Sequence, residues 1–285
     1  MNKTKPISAL KPASTLVAFT TCARPQIIRH NLNSLLQSLT ELDDIDLVVA
    51  IDGLSIEANQ ATLSEVLAMG VNCIVADEPE GVGISKNRVM SLLGDYDYYF
   101  FIEDDVEVVN GRLFTGHIDM HLQTGIHHFS LHEPTRLNDE IEPTRLGEND
   151  VIRHAQYGSA QVNFFTQTAL AEVGGWHQHF GELRRGGHTE HSYRVCNAGL
   201  CPAPFNYIDG LVDSCCWHNP ASIVRPGQHA VATNQLFEVE NALISRKLGQ
   251  QPWYAKHPGR LCLAKSLAKG LAEGLAKAPS TQEAV

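Results

Sequence analysis

Three consecutive acids, Glu103, Asp104 and Asp105, directly follow the apolar run 98–102 and carry the clearest chemical potential in this sequence. Like charges at the end of a buried strand repel one another unless a cation neutralises them. Carboxylate oxygens are hard ligands of the kind that Mg²⁺ and Mn²⁺ prefer. The triplet therefore predicts a divalent-metal site, with a solvated acidic turn as the alternative.

Histidine is the second residue type that could do chemistry, because the 285 residues include fourteen of them. Five lie close together in the sequence, namely His117, His121, His127, His128 and His132. Residues four apart share one face of a helix, and imidazole is a common zinc ligand. A zinc-dependent hydrolase is therefore an alternative function, although no tight motif such as His-Glu-x-x-His is present.

The elements that must position these residues follow an alternating pattern. Apolar runs begin near positions 16, 47, 73 and 98, with amphipathic segments between them. This spacing of roughly 25–30 residues is typical of βα units in a mostly parallel sheet. Thr20, Asp52 and the acid triplet each come at or just past the end of a run, where open α/β sheets bind ligands. We therefore predict an α/β fold with its site at the carboxyl ends of these strands.

Composition narrows the class of protein. The net charge of −10 argues against nucleic acid as a partner, since duplex binding depends on clustered Lys and Arg. No apolar run reaches the ~18–20 residues of a membrane span, and the N-terminus lacks the features of a signal peptide. The seven cysteines include the adjacent pair Cys215 and Cys216 but no Cys-x-x-Cys pattern, which favours a reducing compartment. We expect a cytoplasmic protein.

The order of the motifs resembles that of glycosyltransferases of the GT-A fold, in particular family 2 and its relatives. The resemblance covers about residues 15–220 and implies a Rossmann-like nucleotide-binding sheet fused to an acceptor-binding lobe, followed by C-terminal helices. Six segments carry it: 20–25, like the loop that opens the first helix; 51–55, like Asp-Asp-Gly-Ser; 81–88, like the stretch along the nucleoside; 100–105, like the Asp-x-Asp strand in its Glu-Asp-Asp form; 173–180, like the acceptor-side Val-Gly-Gly-Phe-Asp-Glu-x-Phe; and 194–200, like Arg-x-x-x-x-Gly-Leu.

The resemblance implies an inverting, metal-dependent transferase for polysaccharide or glycoconjugate biosynthesis. Its donor would be a nucleotide sugar, by analogy a UDP-hexose or UDP-N-acetylhexosamine, and its acceptor a hydroxyl of a glycan or lipid-linked molecule. Asp105 would bind Mn²⁺ or Mg²⁺, with His218 as a second ligand. A nucleotide-sugar-binding module without catalysis is a further alternative. The implied donor contacts are Thr20, Arg24, Asp52, Gly83, Lys86, Arg88, Glu103 and Asp104.

The general base is the point at which the sequence departs from the family. Where the family has Glu-Asp, this chain has Gly187 and His188, followed by Thr189 and Glu190. Imidazole, with an ordinary pKa of about 6.5, is a suitable base near neutral pH. Glu190 is the competing candidate, or it could orient His188. Residues two apart on a helix do not face each other, so we expect only one of them in the site.

The domain limits follow from these motifs. Leu and Ala recur on one face from 261 to 275, near Lys265 and Lys269, and predict an amphipathic helix. This helix could contact the inner face of a membrane, or it could pack on the domain or in an oligomer. The predicted parts are a flexible N-terminus (1–13), a catalytic domain (14–225) with a nucleotide-sugar half (14–125) and an acceptor half (126–225), and a helical extension (226–285).

Overall fold

The computed structural model describes residues 15–40, 42–92, 96–131, 138–147, 151–158, 161–183, 186–218 and 249–264. Three sequence-based expectations lie outside these ranges. They are the flexible N-terminus at 1–13, the position of His132, and the predicted amphipathic helix beyond residue 264.

Twelve strands and seven helices lie in these ranges. The strands are β1 (Thr15–Thr21), β2 (Ile45–Asp52), β3 (Asn72–Ala76), β4 (Tyr98–Glu103), β5 (Val106–Val108), β6 (His128–Leu131), β7 (Asn138–Arg145), β8 (Val151–Tyr157), β9 (Val162–Thr166), β10 (Phe205–Ile208), β11 (Cys215–Trp217) and β12 (Arg260–Cys262). The helices are α1 (Pro25–Leu39), α2 (Glu57–Ala68), α3 (Val82–Leu92), α4 (Arg112–Thr124), α5 (Gln167–Val173), α6 (Gln178–Leu183) and α7 (Gly187–Asn197). None of the helices in the described ranges is both long and apolar enough to cross a bilayer.

Seven strands form the central sheet, in the order β12-β3-β2-β1-β4-β9-β6. β1 lies between β2 and β4 and is parallel to both, and β2 is parallel to β3. β9 and β12 run antiparallel to their neighbours. Because β2 and β3 extend the sheet to one side of β1 and β4 to the other, β1 and β4 form a switch point of the topology. The predicted α/β class is confirmed.

The hydrophobic core lies against this sheet. All seven residues of β1 are buried, as are the four apolar residues that end β4 before Glu103. Strands covered on both faces read as continuous apolar runs, which explains why they were recognisable in the sequence. Aromatic side chains extend the packing from β4 to β9, where Phe100 lies 5.1 Å from Phe164 and Phe101 lies 6.2 Å from Phe165 (ring centroids).

The C-terminal extension differs from the expected helix where it is described. Leu261, which should have begun that helix, lies in β12 and pairs with Ile74 of β3. The preceding residues also contact the domain, since the side chains of Asn87 and Arg88 donate hydrogen bonds to carbonyl oxygens in the segment 249–264. Without β12, β3 would be an open edge with unpaired backbone groups. Strand pairing satisfies those groups, whereas a helix at this position would not.

Candidate active site

The polar residues at the strand ends come together as the sequence predicted. In the register of the central sheet, Thr20 of β1 is opposite Glu103 of β4, and Thr21 of β1 is opposite Ile51 of β2. Asp52 is the last residue of β2. The acid triplet therefore lies at the carboxyl ends of β1 and β4, beside the switch point.

Asp104 is held by groups of the protein itself. Its Oδ1 lies 2.7 Å from Nη1 of Arg24, and its Oδ2 accepts a 2.7 Å hydrogen bond from the Thr21 hydroxyl. The side-chain amide of Asn31 on α1 donates to the Asp104 carbonyl. Arg24 and Asp104 are both buried. This network fixes the turn after β4 against the start of α1, so Asp104 and Arg24 position the site.

Basic residues offset most of the charge of the triplet. Arg24 Nη1 lies 4.0 Å from Oδ2 of Asp105, and Lys86 Nζ lies 3.8 Å from Oε1 of Glu103. Two cations beside three carboxylates leave a net charge of about −1. The repulsion that the sequence suggested is therefore largely compensated by the protein, and one divalent ion is sufficient to reverse the sign at Asp105.

Lys86 is the most deeply buried cation of the site. Only 1 % of its side chain is exposed, and Nζ lies 5.5 Å from the ring of Trp176 and 5.8 Å from that of Phe101. Burial lowers the pKa of Lys86, and the charges of Glu103 and Asp105 oppose that effect. Cation–π contacts and the nearby carboxylates stabilise the ammonium where water is excluded.

Asp52 and Arg88, predicted to contact the donor, bind each other instead. Asp52 Oδ1 lies 2.7 Å from Arg88 Nη1, and its carboxylate also accepts hydrogen bonds from the backbone N–H groups of Glu80 (3.1 and 3.2 Å) and Gly81 (2.7 Å). These bonds occupy the roughly four acceptor positions of a carboxylate. Their geometry gives no support to a direct nucleotide contact, and it holds the loop between β3 and α3 in place.

Thr20 and Gly83, two further predicted donor contacts, also have internal roles. The Thr20 hydroxyl donates to the Ile102 carbonyl across the β1–β4 pair. A Cβ at Gly83 would lie 3.2 Å from the Cβ of Trp176, so glycine permits the close packing of α3 on this ring. The sequence located both residues at the site but not these internal contacts.

Glu190 is excluded as the general base by its surroundings. Its side chain is 1 % exposed, and its two oxygens lie 2.6 and 3.0 Å from Nε and Nη2 of Arg194. Arg194 also donates to the carbonyl oxygens of Val173 and Gly175. The Glu190 carboxylate is thus bound on both oxygens by a buried guanidinium of its own helix, and that guanidinium joins α7 to the end of α5. The carboxylate cannot also receive a proton from an incoming hydroxyl.

His188 has the more suitable environment. It is the second residue of α7, is half-buried, and its ring lies edge-on to Phe205 with 6.3 Å between centroids. On the same helix, His191 stacks on Trp176 with 4.2 Å between centroids, and Trp176 contacts Lys86. This chain of contacts links the helix that carries His188 to the acid triplet. Of the two predicted bases, Glu190 is contradicted by its surroundings, and His188 stays a prediction.

The ring of His218 lies against a glutamate that the sequence analysis did not identify. Its backbone N–H donates to the Asp105 carbonyl, but its Nε2 lies 2.8 Å from Oε2 of Glu107. The other oxygen of Glu107 lies 3.1 Å from Nε2 of His30 on α1. Partial burial raises the pKa of Glu107, but the hydrogen bonds from both histidines lower it by a larger amount. The pKa of Glu107 therefore lies below its usual value. The period-two spacing from Asp105 was the available signal for Glu107.

The predicted zinc cluster is wrong for its described members. Burial lowers the pKa of His117 and His128 to about 4, although backbone hydrogen bonds oppose it. The four described histidines of this cluster, His117, His121, His127 and His128, belong to no three-ligand group within the described residues. Their Nδ1 atoms instead contact local acceptors: Leu113 O (His117), Ile126 O (His121), the Thr166 hydroxyl (His127) and Phe164 O (His128).

Comparison with known proteins supports the fold. No protein-family model and no curated protein sequence matches this chain. Its structure is similar to that of S. aureus TarS 1–349 in complex with UDP, with a TM-score of 0.53 and 10 % identity over 82 % of this chain and 65 % of that one. Mannosyltransferase PcManGT from Pyrobaculum calidifontis, in complex with GDP-Man and Mn²⁺, aligns over 93 % of this chain and 81 % of that one, with a TM-score of 0.49 and 12 % identity. The chain therefore has a GT-A-type α/β fold.

Proposed function

We propose that this protein is a glycosyltransferase that moves a sugar from a nucleotide sugar to an acceptor hydroxyl. The observation that carries the proposal is the acid triplet at the carboxyl ends of β1 and β4, the switch point of a GT-A-type sheet. In open α/β sheets of this kind, a nucleotide and its phosphates bind beyond the carboxyl ends of the strands. The motif resemblance and a UDP-bound structural neighbour favour a UDP-sugar donor, a hexose or N-acetylhexosamine.

Asp105 is the proposed metal ligand. Its carboxylate is bound less closely by Arg24 than that of Asp104, with 4.0 Å rather than 2.7 Å to the guanidinium. Hard carboxylate oxygen fits Mn²⁺ or Mg²⁺, which take one or two carboxylates and complete their shell with water and substrate phosphates. When bound, such an ion would supply Lewis-acid stabilisation of the leaving diphosphate. His218, predicted as its second ligand, is not assigned to this ion, because its Nε2 is directed to Glu107 and Asp105 is not in the three-ligand group that His218 forms.

The cations around the triplet make the site suitable for an anionic leaving group. Arg24 and Lys86 offset two of its three charges, so that a metal ion makes the site net positive. Negative charge grows on the diphosphate while the sugar becomes oxocarbenium-like, as in glycoside hydrolysis. Fixed cations stabilise that developing charge without reorganising.

His188 is the proposed base on the acceptor side. Its neutral imidazole takes the proton of the acceptor hydroxyl as that oxygen bonds to the anomeric carbon, and the bond from this carbon to the diphosphate breaks. Attack opposite the leaving group inverts the anomeric configuration. The acceptor is proposed to be a hydroxyl of a glycan or of a lipid-linked saccharide.

A donor panel with Asp105→Ala tests the proposal. We expect the wild-type protein to release nucleotide from one donor in the presence of Mn²⁺ and to lose this activity in EDTA. Asp105→Ala should abolish turnover and Mn²⁺-dependent donor binding, whereas Asp119→Ala, an exposed acid on α4, should leave both intact. Mn²⁺-dependent binding of UDP that is equal in the wild type and Asp105→Ala would contradict the metal assignment. Donor binding without turnover on any acceptor would instead indicate a non-catalytic module.

A further inference from the structure

Beside the acid triplet, side chains from three elements meet as a cluster of His30, Glu107 and His218. His30 belongs to α1, Glu107 to β5, and His218 directly follows β11. One potential ligand atom from each residue, a ring nitrogen of each histidine and a carboxylate oxygen of Glu107, lies within 4.8 Å of the other two. The side chain of Glu107 is 19 % exposed, that of His218 42 % and that of His30 65 %, so an ion can reach all three.

The spacing of these atoms is close to that of a tetrahedral metal site. With metal–ligand bonds of about 2.0–2.1 Å, two ligands of one tetrahedral ion are roughly 3.3 Å apart. Here Nε2 of His218 lies 2.8 Å from Oε2 of Glu107, and Nε2 of His30 lies 3.1 Å from Oε1, so the carboxylate faces both rings at about this spacing. Small rotations of three partly exposed side chains would therefore admit an ion without a change in the backbone. Two imidazoles and one carboxylate leave the fourth position to water, as in many three-ligand zinc sites.

The donor set separates this cluster from the ion proposed at Asp105. Imidazole nitrogen suits Zn²⁺, Co²⁺, Ni²⁺ and Cu²⁺ and adds little for Mg²⁺, which prefers an all-oxygen shell. Asp105 is not a member of the three-ligand group, although its carbonyl accepts a hydrogen bond from the His218 N–H. The two positions are therefore neighbours with different metal preferences.

We propose that His30, Glu107 and His218 form a second metal site, selective for Zn²⁺ and similar transition-metal ions. β5 and β11 pair as a two-stranded antiparallel sheet. The ion joins α1 to this small sheet and stabilises its end beside Asp105. This site does not depend on the proposed sugar transfer, because none of its side chains is assigned a part in that reaction.

Zinc binding to tag-free, chelator-stripped protein tests the site. Isothermal titration with ZnCl₂ should give one tight site in the wild type, and zinc-edge X-ray absorption should show two imidazole ligands. His30→Ala and Glu107→Gln should each weaken zinc binding by at least about 100-fold. Residues that only support a ligand typically cost about 10- to 100-fold in metal affinity when they are replaced, so a ligand should cost at least as much. At a zinc concentration of about 100 times Kd, the Tm of the wild type should rise by about 5–11 °C.

Two further variants act as controls. Gln37→Ala, an exposed position two turns along α1, and Asp105→Ala should both bind zinc like the wild type. Equal zinc affinity in the wild type and in folded His30→Ala and Glu107→Gln would overturn the proposal, as would the absence of tight binding in the wild type. Zinc binding that survives in a protein with no sugar-transfer activity would refute only the proposed enzyme function, so the two failures are distinguishable.

Discussion

Two variants of α7, His188→Ala and Glu190→Gln, separate the proton acceptor from the residue that supports it. The chemistry of the two side chains allows either to act as a base. The surroundings of the two side chains differ sharply. Glu190 is buried against Arg194, whereas His188 is half-buried and its ring lies edge-on to Phe205. We expect one variant to lose activity and the other to lose stability.

The expected magnitudes follow from the contacts. Glu190→Gln leaves Arg194, 3 % exposed, with two backbone carbonyl partners and no counter-charge. Breaking a buried ion pair costs about 3–5 kcal/mol, and the lower end applies because the amide oxygen still accepts a hydrogen bond. A loss of about 3 kcal/mol lowers Tm by about 6–12 °C. His188→Ala removes the edge contact with Phe205, worth about 1 kcal/mol, and should lower kcat by about 10²–10⁴-fold.

The assay measures Tm, kcat and the pH dependence of kcat/KM in each variant, with Thr189→Ala as the control on the same turn. An imidazole base places the acid limb of kcat/KM near pH 6–7, because protonation abolishes its function, whereas an ordinary carboxylate would place it near 4–5. That limb should disappear in His188→Ala. A Glu190→Gln protein with normal Tm and a 10²-fold loss in kcat, beside an active His188→Ala protein, would refute the assignment. A retained anomeric configuration in the product, read by NMR, would refute inversion.

Two other predictions concern the interior of the fold. Asp52→Ala should lower the free energy of unfolding by about 3 kcal/mol, the lower end of the cost of breaking a buried ion pair, because the buried Arg88 guanidinium loses Asp52 and keeps only Glu80 as a counter-charge; normal stability in urea with weakened UDP binding would instead show a direct nucleotide contact. The pKa values of His117 and His128, lowered to about 4, mean that the unfolded chain binds more protons than the native one below about pH 6.5. Their stabilising contribution is complete above pH 6.5 and falls toward pH 4, by about 2 kcal/mol each between pH 7.5 and 5. Urea unfolding at both pH values should show a smaller loss for His128→Gln than for the wild type, and an equal loss would contradict this explanation.

The sheet and the location of the site were predictable because both depend on local patterns. A buried strand shows itself as an apolar run, and the chain must turn where the run stops, so Asp52 and the triplet were correctly placed at strand ends. β12 was not predictable in the same way. A three-residue edge strand has no periodicity of its own, and its pairing with β3 depends on contacts about 190 positions apart in the sequence.

The roles of the polar residues were less predictable than their positions. A sequence shows that an acid follows a strand, but not whether its charge is already satisfied. Asp104 and Asp52 are both satisfied, by Arg24 and Arg88, and each pair is formed between residues 36 or more positions apart. The same limit applies in reverse to Glu107, an ordinary strand residue in the sequence that becomes a candidate metal ligand only when His30 and His218 are folded against it.

The distribution of partners gives a physical criterion for separating ligands from support at this site. A buried carboxylate whose acceptor positions are filled by a guanidinium, alone or with backbone N–H groups, has little to gain from a substrate, and replacing it removes a counter-charge from a buried cation. Asp52 and Glu190 meet this description. Asp105 differs from both in its guanidinium contact, since Arg24 lies 4.0 Å from its carboxylate and not within hydrogen-bond distance. Loss of function should therefore be accompanied by loss of stability at the first two positions and should occur without it at Asp105.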